Sequence, residues 1–187
     1  YDARNTIKSV WFFDLTPFSK FEIKSDKALE KLQKICTANI KNEIGKCTYT
    51  HMLNKGAGIE TDLTVICLKK DHFRIISSAA VRAHDKAHIL KYLSSDVEFK
   101  DVTDELICIG IFGPKSRDLL STITNEDLSN ENFKFSRSKN IKLNSINVWA
   151  QRLSYVGELG YELYIQKENA IEIYDLIVNN GKDFGLV

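Results

Sequence analysis

From residue 49 the sequence runs Tyr49-Thr50-His51-Met52-Leu53-Asn54 and, three residues later, Gly58-Ile59-Glu60-Thr61-Asp62-Leu63-Thr64-Val65. It predicts two strands, Tyr49 to Leu53 and Ile59 to Leu68, joined at Lys55-Gly56-Ala57-Gly58, where glycines supply turn conformations that other residues resist. Side chains alternate across a strand. Glu60, Asp62 and Thr64 therefore share one face, and Leu63 and Val65 share the other. A polar face of this kind is either ordinary solvated strand or a site, and alternation alone leaves both open.

The same style continues on either side. Val10 to Phe13 predicts a buried strand that ends at Thr16-Pro17, with Phe21-Glu22-Ile23 as its partner. Ser25-Asp26 caps a helix through about Asn39, with Ala28, Leu29, Leu32 and Ile35 on one face. Phe73 to Ile76 predicts a strand, and Arg82 to Leu93 a helix with Ile89, Leu90 and Leu93 inward. Leu106 to Phe112 is strongly apolar strand. Gly113-Pro114 breaks it and starts a short helix bearing Leu119, Leu120 and Ile123. Phe133 to Phe135, Ile141 to Leu143, Val148 to Leu153 and Tyr161 to Ile165 predict further strands. Glu168 to Asn179 predicts a final helix stopped by Gly181. Strands and helices mix without strict β-α alternation, so the fold class is α+β, with mixed or antiparallel sheets and packed helices.

The chain has 187 residues, with 26 Lys+Arg against 25 Asp+Glu, a net charge of +1 and 43% hydrophobic residues. That composition fits a globular chain and excludes disorder. The length suits one large domain over 1–187 or two small interlocked halves. The neutral balance argues against nucleic acid, which needs a basic excess, and no apolar run is long enough for a membrane helix. The chain opens on Tyr1 with no basic-then-apolar leader after it, so no signal peptide is expected in this sequence, and the missing initiator Met points to a piece cut from something longer. Cys36, Cys47, Cys67 and Cys108 form no C-x-x-C pair. They are expected as free, buried thiols in a reducing compartment, read as cytoplasmic. His84 and His88 stand at i, i+4 on a predicted helix without an evident third ligand, so no metal is expected. No G-x-G-x-x-G occurs, so no flavin domain is expected within the chain.

Three segments taken together resemble a known family: Phe13-Asp14-Leu15-Thr16-Pro17-Phe18-Ser19-Lys20-Phe21, the Tyr49 to Val65 stretch, and Ser154-Tyr155-Val156-Gly157-Glu158-Leu159-Gly160-Tyr161-Glu162-Leu163. In this order they resemble the folate-binding domain of the aminomethyltransferase family, which includes the glycine-cleavage T-protein. The likeness is strongest to the C-terminal tetrahydrofolate domain of dimethylglycine and sarcosine dehydrogenases, a branch that Ala79-Ala80-Val81-Arg82-Ala83-His84-Asp85 also resembles. The T-protein pattern has two acidic residues before the Leu where this chain has Thr61 first, and an aromatic where it has Ile66. The K-G-C-Y-x-G-Q-E motif of the relatives linked to tRNA modification is absent.

The resemblance implies transfer of an aminomethyl or methylene carbon to tetrahydrofolate, giving 5,10-methylenetetrahydrofolate from an amine-derived iminium or aminomethyl donor. It implies a small-molecule one-carbon donor as substrate and a flavin dehydrogenase domain or subunit as partner. Asp62 matches the family's catalytic aspartate, where an anion stabilises positive charge on the carbon or moves a proton. Glu162 matches the pterin-binding glutamate, whose two oxygens accept from an amino group and a ring N–H side by side. Tyr155 lies in the same motif, either lining the pocket or packing in the core. Tyr49 and Phe18 offer stacking faces for the pterin or aminobenzoyl ring, or else are core aromatics. Gly157 and Gly160 are expected to permit a tight turn and a close backbone approach. The family continues past Gly185-Leu186 into an arginine-bearing segment and a small C-terminal barrel, neither of which is in these 187 residues. Hence the alternatives are a non-catalytic folate-binding or protein-interaction module, or a folate-dependent demethylase relative.

Overall fold

The structure, a computed structural model, describes residues 8–187, which divide into two compact units. One comprises residues 8–16 together with Glu105–Val187, and the other Pro17–Asp104. Each is one antiparallel sheet with helices against it, the α+β arrangement that the mixed strand and helix patterns predict.

The contiguous unit holds β2 (Ser19–Lys24), α1 (Ala28–Ile35), β3 (Cys47–Leu53), β4 (Ile59–Lys69), β5 (His72–Ser77), α2 (Arg82–Leu90) and β6 (Glu98–Asp101). Its sheet order is β3-β4-β5-β2-β6. Phe21, Ile23, Leu63, Val65, Phe73 and Ile75 recur at every second strand position and form a core with Ala28, Leu32 and Ile35 of α1 and Ile89 of α2. A period of two in the strands meets a stripe of about 100° on each helix, so one sheet face is covered. The other face keeps its polar residues. Glu22 there takes Arg74 from its directly paired position, with Arg74 Nη2 2.6 Å and Nε 2.9 Å from Oε1. His72 Nε2 lies 2.8 Å from Oε2 of the same carboxylate.

The second unit holds β1 (Trp11–Asp14), β7 (Leu106–Phe112), α3 (Ser116–Ser121), β8 (Arg137–Leu143), β9 (Ile146–Arg152), β10 (Gly160–Gln166) and α4 (Ala170–Gly181). Its sheet order is β1-β7-β10-β9-β8. Ile109, Ile111, Tyr161, Leu163, Ile165, Val148 and Ala150 point to one face and pack against Leu119 and Leu120 of α3 and Ile173 and Ile177 of α4. The last residues return to the first: Val10 bridges Leu186, and Phe12 N–H donates to the Val187 carbonyl at 3.0 Å.

Several local expectations are corrected. β1 does not pair with the Phe21 strand; it pairs with β7, and β2 pairs with β5 and β6. Pro17 therefore marks the boundary between units, not a hairpin. The residue in left-handed conformation in the β3–β4 turn is Ala57 (φ 62°), not a glycine. Asn54 makes that conformation tenable, because its Oδ1 accepts from the Gly56 and Gly58 amides at 2.9 and 3.0 Å. Phe133–Phe135 is a turn that leads into β8 through Ser136 at φ 61°. Leu90 is exposed, and α1 ends at Ile35. Gly181 is the last residue of α4, and the left-handed stop falls later, at Gly185. The four cysteines are free and buried, as expected from their spacing. Among the described residues, no helix is long and apolar enough to cross a membrane.

Gly160 opens β10 opposite Phe112, and a Cβ there would sit 2.3 Å from Phe112 Cδ1 and 2.9 Å from the Leu153 carbonyl. One of those neighbours is backbone and the other a buried ring, so neither can yield cheaply. Gly160→Ala is expected to lower unfolding free energy by about 1–3 kcal/mol. Urea midpoints at constant m-value measure it, and a change within error would show that the strand start has slack.

Candidate functional site

The predicted residues fall on both units. Asp62 stands on the polar face of β4, exposed, while its neighbours Leu63 and Val65 are buried in the core. Those apolar neighbours fix the register, and a slip by one residue would turn Asp62 inward. His51 of β3 is its paired residue. Tyr49, two pairs further along and so on the same face, donates its hydroxyl to Asp62 Oδ2 at 3.1 Å and meets the His51 ring edge-on at 5.4 Å between centroids. Tyr49 is exposed, so it is a surface aromatic beside the carboxylate and not part of the core. Phe18 is half-buried just before β2, and its carbonyl accepts from Lys20 Nζ at 2.9 Å.

A polar network ties the start of β4 to α2. His84 Nε2 lies 2.8 Å from Glu60 Oε2, and His84 Nδ1 lies 3.1 Å from Asp85 Oδ1. Asp85 is fully buried and also accepts from the Thr61 hydroxyl at 3.3 Å. Two ring nitrogens that each face a carboxylate oxygen are both satisfied only when both carry protons. The hydrogen bond to Asp85, and then that to Glu60, accordingly hold the His84 pKa above its ordinary value. Glu60 is held below the usual carboxylate value, chiefly by a hydrogen bond from Asn54 and then by His84. The histidine at i, i+4 from it, His88, stacks at 6.4 Å on His84. The pair thus serves packing and an ion network.

On the other unit, Glu162 occupies the middle of β10, between Gly110 of β7 and Gln151 of β9. Tyr164 donates its hydroxyl to Glu162 Oε2 at 2.8 Å. Burial pushes the Glu162 carboxyl up, and the Tyr164 hydrogen bond pulls it back down. The loop before β10 encloses a cavity of about 390 Å³, lined among others by Phe135, Arg152, Ser154, Gly157, Glu158 and Leu159. Gly157 at φ 79° turns that loop in a conformation an L side chain resists. Arg152 is fixed by bonds from Nη1 to the Phe133 carbonyl (2.6 Å) and from Nη2 to Asn130 Oδ1 (2.7 Å). Its Nε and the Ser154 hydroxyl are buried without a protein hydrogen-bond partner, the condition of polar atoms that a bound molecule or water completes. Tyr155 is 89% exposed, so it is not core.

Sequence reasoning missed Phe135, Arg152 and Tyr164. Phe135 and Arg152 meet at the cavity only through the β8–β9 pairing, which brings Arg137 opposite Arg152. Tyr164 was open to discovery, because it stands two residues after Glu162 and therefore on the same strand face.

The sequence matches the family described as GCVT N-terminal domain over residues 1–187. Human mitochondrial dimethylglycine dehydrogenase is 36% identical over 188 residues, covering 99% of this chain and 22% of that protein. An aminomethyltransferase of Thermoanaerobacter sp. (strain X514) is 31% identical over 180 residues, covering 93% of this chain and 48% of the enzyme. The chain thus spans about a fifth of the dehydrogenase and about half of the aminomethyltransferase. The crystal structure of the glycine cleavage system aminomethyltransferase T from Bartonella henselae superposes with a TM-score of 0.80 at 20% identity, over 94% of this chain and 47% of that one, a shared fold.

The His84 network fixes the sign of one pH dependence. A pKa raised in the folded state gives stability that is complete below the ordinary imidazole value of about 6.5 and is lost as pH rises through the higher folded value. Wild type should therefore exceed His84→Gln in urea midpoint at pH 5.5, with the gap closing by pH 9. A gap that widens with pH would contradict the imidazolium bridge.

Proposed function

This chain belongs to the family of GCVT N-terminal domains, and from that membership we propose that it transfers a one-carbon unit to tetrahydrofolate. The reaction takes an iminium or aminomethyl carbon from an amine donor and delivers it as 5,10-methylenetetrahydrofolate. The folate supplies the pair of amines that receives the carbon. Glu162 holds the pterin edge, accepting paired N–H donors, and Asp62 stabilises the positive charge of the incoming carbon and relays a proton. Tyr49 presents a ring face beside Asp62 and orients its carboxylate. Phe18 and Tyr155 contribute aromatic contact to the ligand.

The observation that supports this reading best is the Glu162 carboxylate: half-buried, central in its strand, and bonded to a neutral phenol rather than to a cation. A partly desolvated carboxylate without a cationic partner is costly unless a ligand uses it. The family's membership of aminomethyltransferases and dimethylglycine dehydrogenase supports an amine-derived donor, with a flavin dehydrogenase segment or subunit generating it. Four buried free thiols support a reducing compartment such as the cytoplasm.

Calorimetric titration with tetrahydrofolate, with formaldehyde as the carbon source for turnover, tests the assignment. Glu162→Gln should weaken folate binding by about 10- to 100-fold, the worth of one or two charge-assisted hydrogen bonds. Asp62→Asn should keep affinity within about threefold while single-turnover formation of the methylene product falls at least about 100-fold. No heat with wild type at high micromolar folate would remove the folate reading. Binding without any product would leave a binding module in place of a transferase.

A further inference from the structure

We infer that Tyr164 is the positioning residue for Glu162, fixing the plane of its carboxylate for a ligand that offers paired N–H donors. The inference rests on the folate reading of Glu162 and goes beyond it, because it assigns the protein's own hydrogen bond to that carboxylate. Four observations support it.

The first is parity. Residues 162 and 164 share one face of β10, and the Tyr164 hydroxyl reaches Glu162 Oε2 at 2.8 Å. The second is what stands beside the carboxylate. Its paired residue on β7 is Gly110, which contributes no side chain, and a Cβ there would lie 2.7 Å from the Phe112 ring. On β9 its paired residue is the neutral Gln151. The third is confinement. Tyr164 is 2% exposed, with Cys108 paired to it on β7 and Trp149 on β9, so its ring has no room to swing away. The fourth is electrostatic. Among the described residues, the Tyr164 hydroxyl is the side chain that favours the ionised form of Glu162, against the desolvation that opposes it. The Tyr164 hydroxyl is itself pushed far upward, first by burial and then by Cys108 and Glu162, so it stays protonated and donates.

The division of labour follows from lone-pair counting. A carboxylate has about four acceptor positions. One phenol donor uses a single position on Oε2 and stops rotation about the terminal bond. Three remain for an amino group and a ring N–H arriving in the carboxylate plane. A second acceptor or a cation at the Tyr164 position would either repel the carboxylate or neutralise it.

The test is a double-mutant cycle on the intact chain with two readouts. The first is the titration of the Glu162 carboxyl carbon by NMR of ligand-free protein carrying ¹³C-labelled glutamate. The second is the dissociation constant for tetrahydrofolate. Tyr164→Phe, nearly isosteric, should move the carboxyl titration upward and weaken folate by about tenfold, the worth of one hydrogen bond to a charged group. On the Glu162→Gln background it should weaken folate no further. Difluorotyrosine at position 164, a stronger donor of the same shape, should move the titration downward and covers the case in which the phenylalanine variant misfolds. A carboxyl titration unmoved by both substitutions overturns the inference. A moved titration with folate affinity unchanged in both Glu162→Gln and Tyr164→Phe overturns the folate reading while leaving the Tyr164–Glu162 coupling in place.

Discussion

Each sheet has two faces, and only one of them can be covered by its own unit's helices. Leu63 and Val65 on β4, like Leu163 and Ile165 on β10, bury against helices that supply a matching apolar stripe. Roughly 1.5–3 kcal/mol attends each such side chain, so the register of both strands is set by residues that do no chemistry. The intervening residues are thereby forced to the other face. Asp62 and Glu162 stand where they do because their neighbours cannot stand anywhere else.

The two carboxylates then diverge in character. Asp62 is exposed, bonded to an exposed tyrosine and next to a histidine edge. Glu162 is sunk among strands, bonded to a buried tyrosine, with its ionisation opposed by desolvation. An exposed anion is available to a transient charge at little cost. A desolvated one is selective, because it pays most for a partner that replaces all of its lost water. One arrangement can answer a transient positive charge, the other a fixed set of hydrogen-bond donors.

Much of this was legible because it is periodic. The alternation in Gly58 to Val65 placed Asp62 opposite the core, and the same rule holds in β10 around Glu162. What was illegible is non-local or conformational. Val10 to Phe13 and Phe21 to Ile23 look like a hairpin because a proline separates them, yet no local signal tells a hairpin turn from a crossing between units; β1 finds its partner in β7. Phe133 to Phe135 carries strand-like aromatics, but Ser136 takes a left-handed φ and the segment turns. Phe135 and Arg152 meet at a cavity only once β8 and β9 have paired. Tyr164 was within reach of the period-two rule, but a tyrosine in an apolar strand reads first as packing.

The β1–β7 pairing also bears on the order in which the chain can fold. Trp11 must wait for Phe112, about a hundred residues later, before its strand has a neighbour. Residues 17–104 carry all five strands and both helices of their unit within one uninterrupted run. During synthesis the interior run emerges whole and can condense on local contacts, while the flanking segments stay open until the last helix leaves the ribosome. The polar network of Glu60, His84 and Asp85 belongs to the early unit and the Glu162–Tyr164 pair to the late one. Once residues 17–104 have emerged, the chain would therefore hold Asp62 on a finished scaffold before Glu162 has left the ribosome.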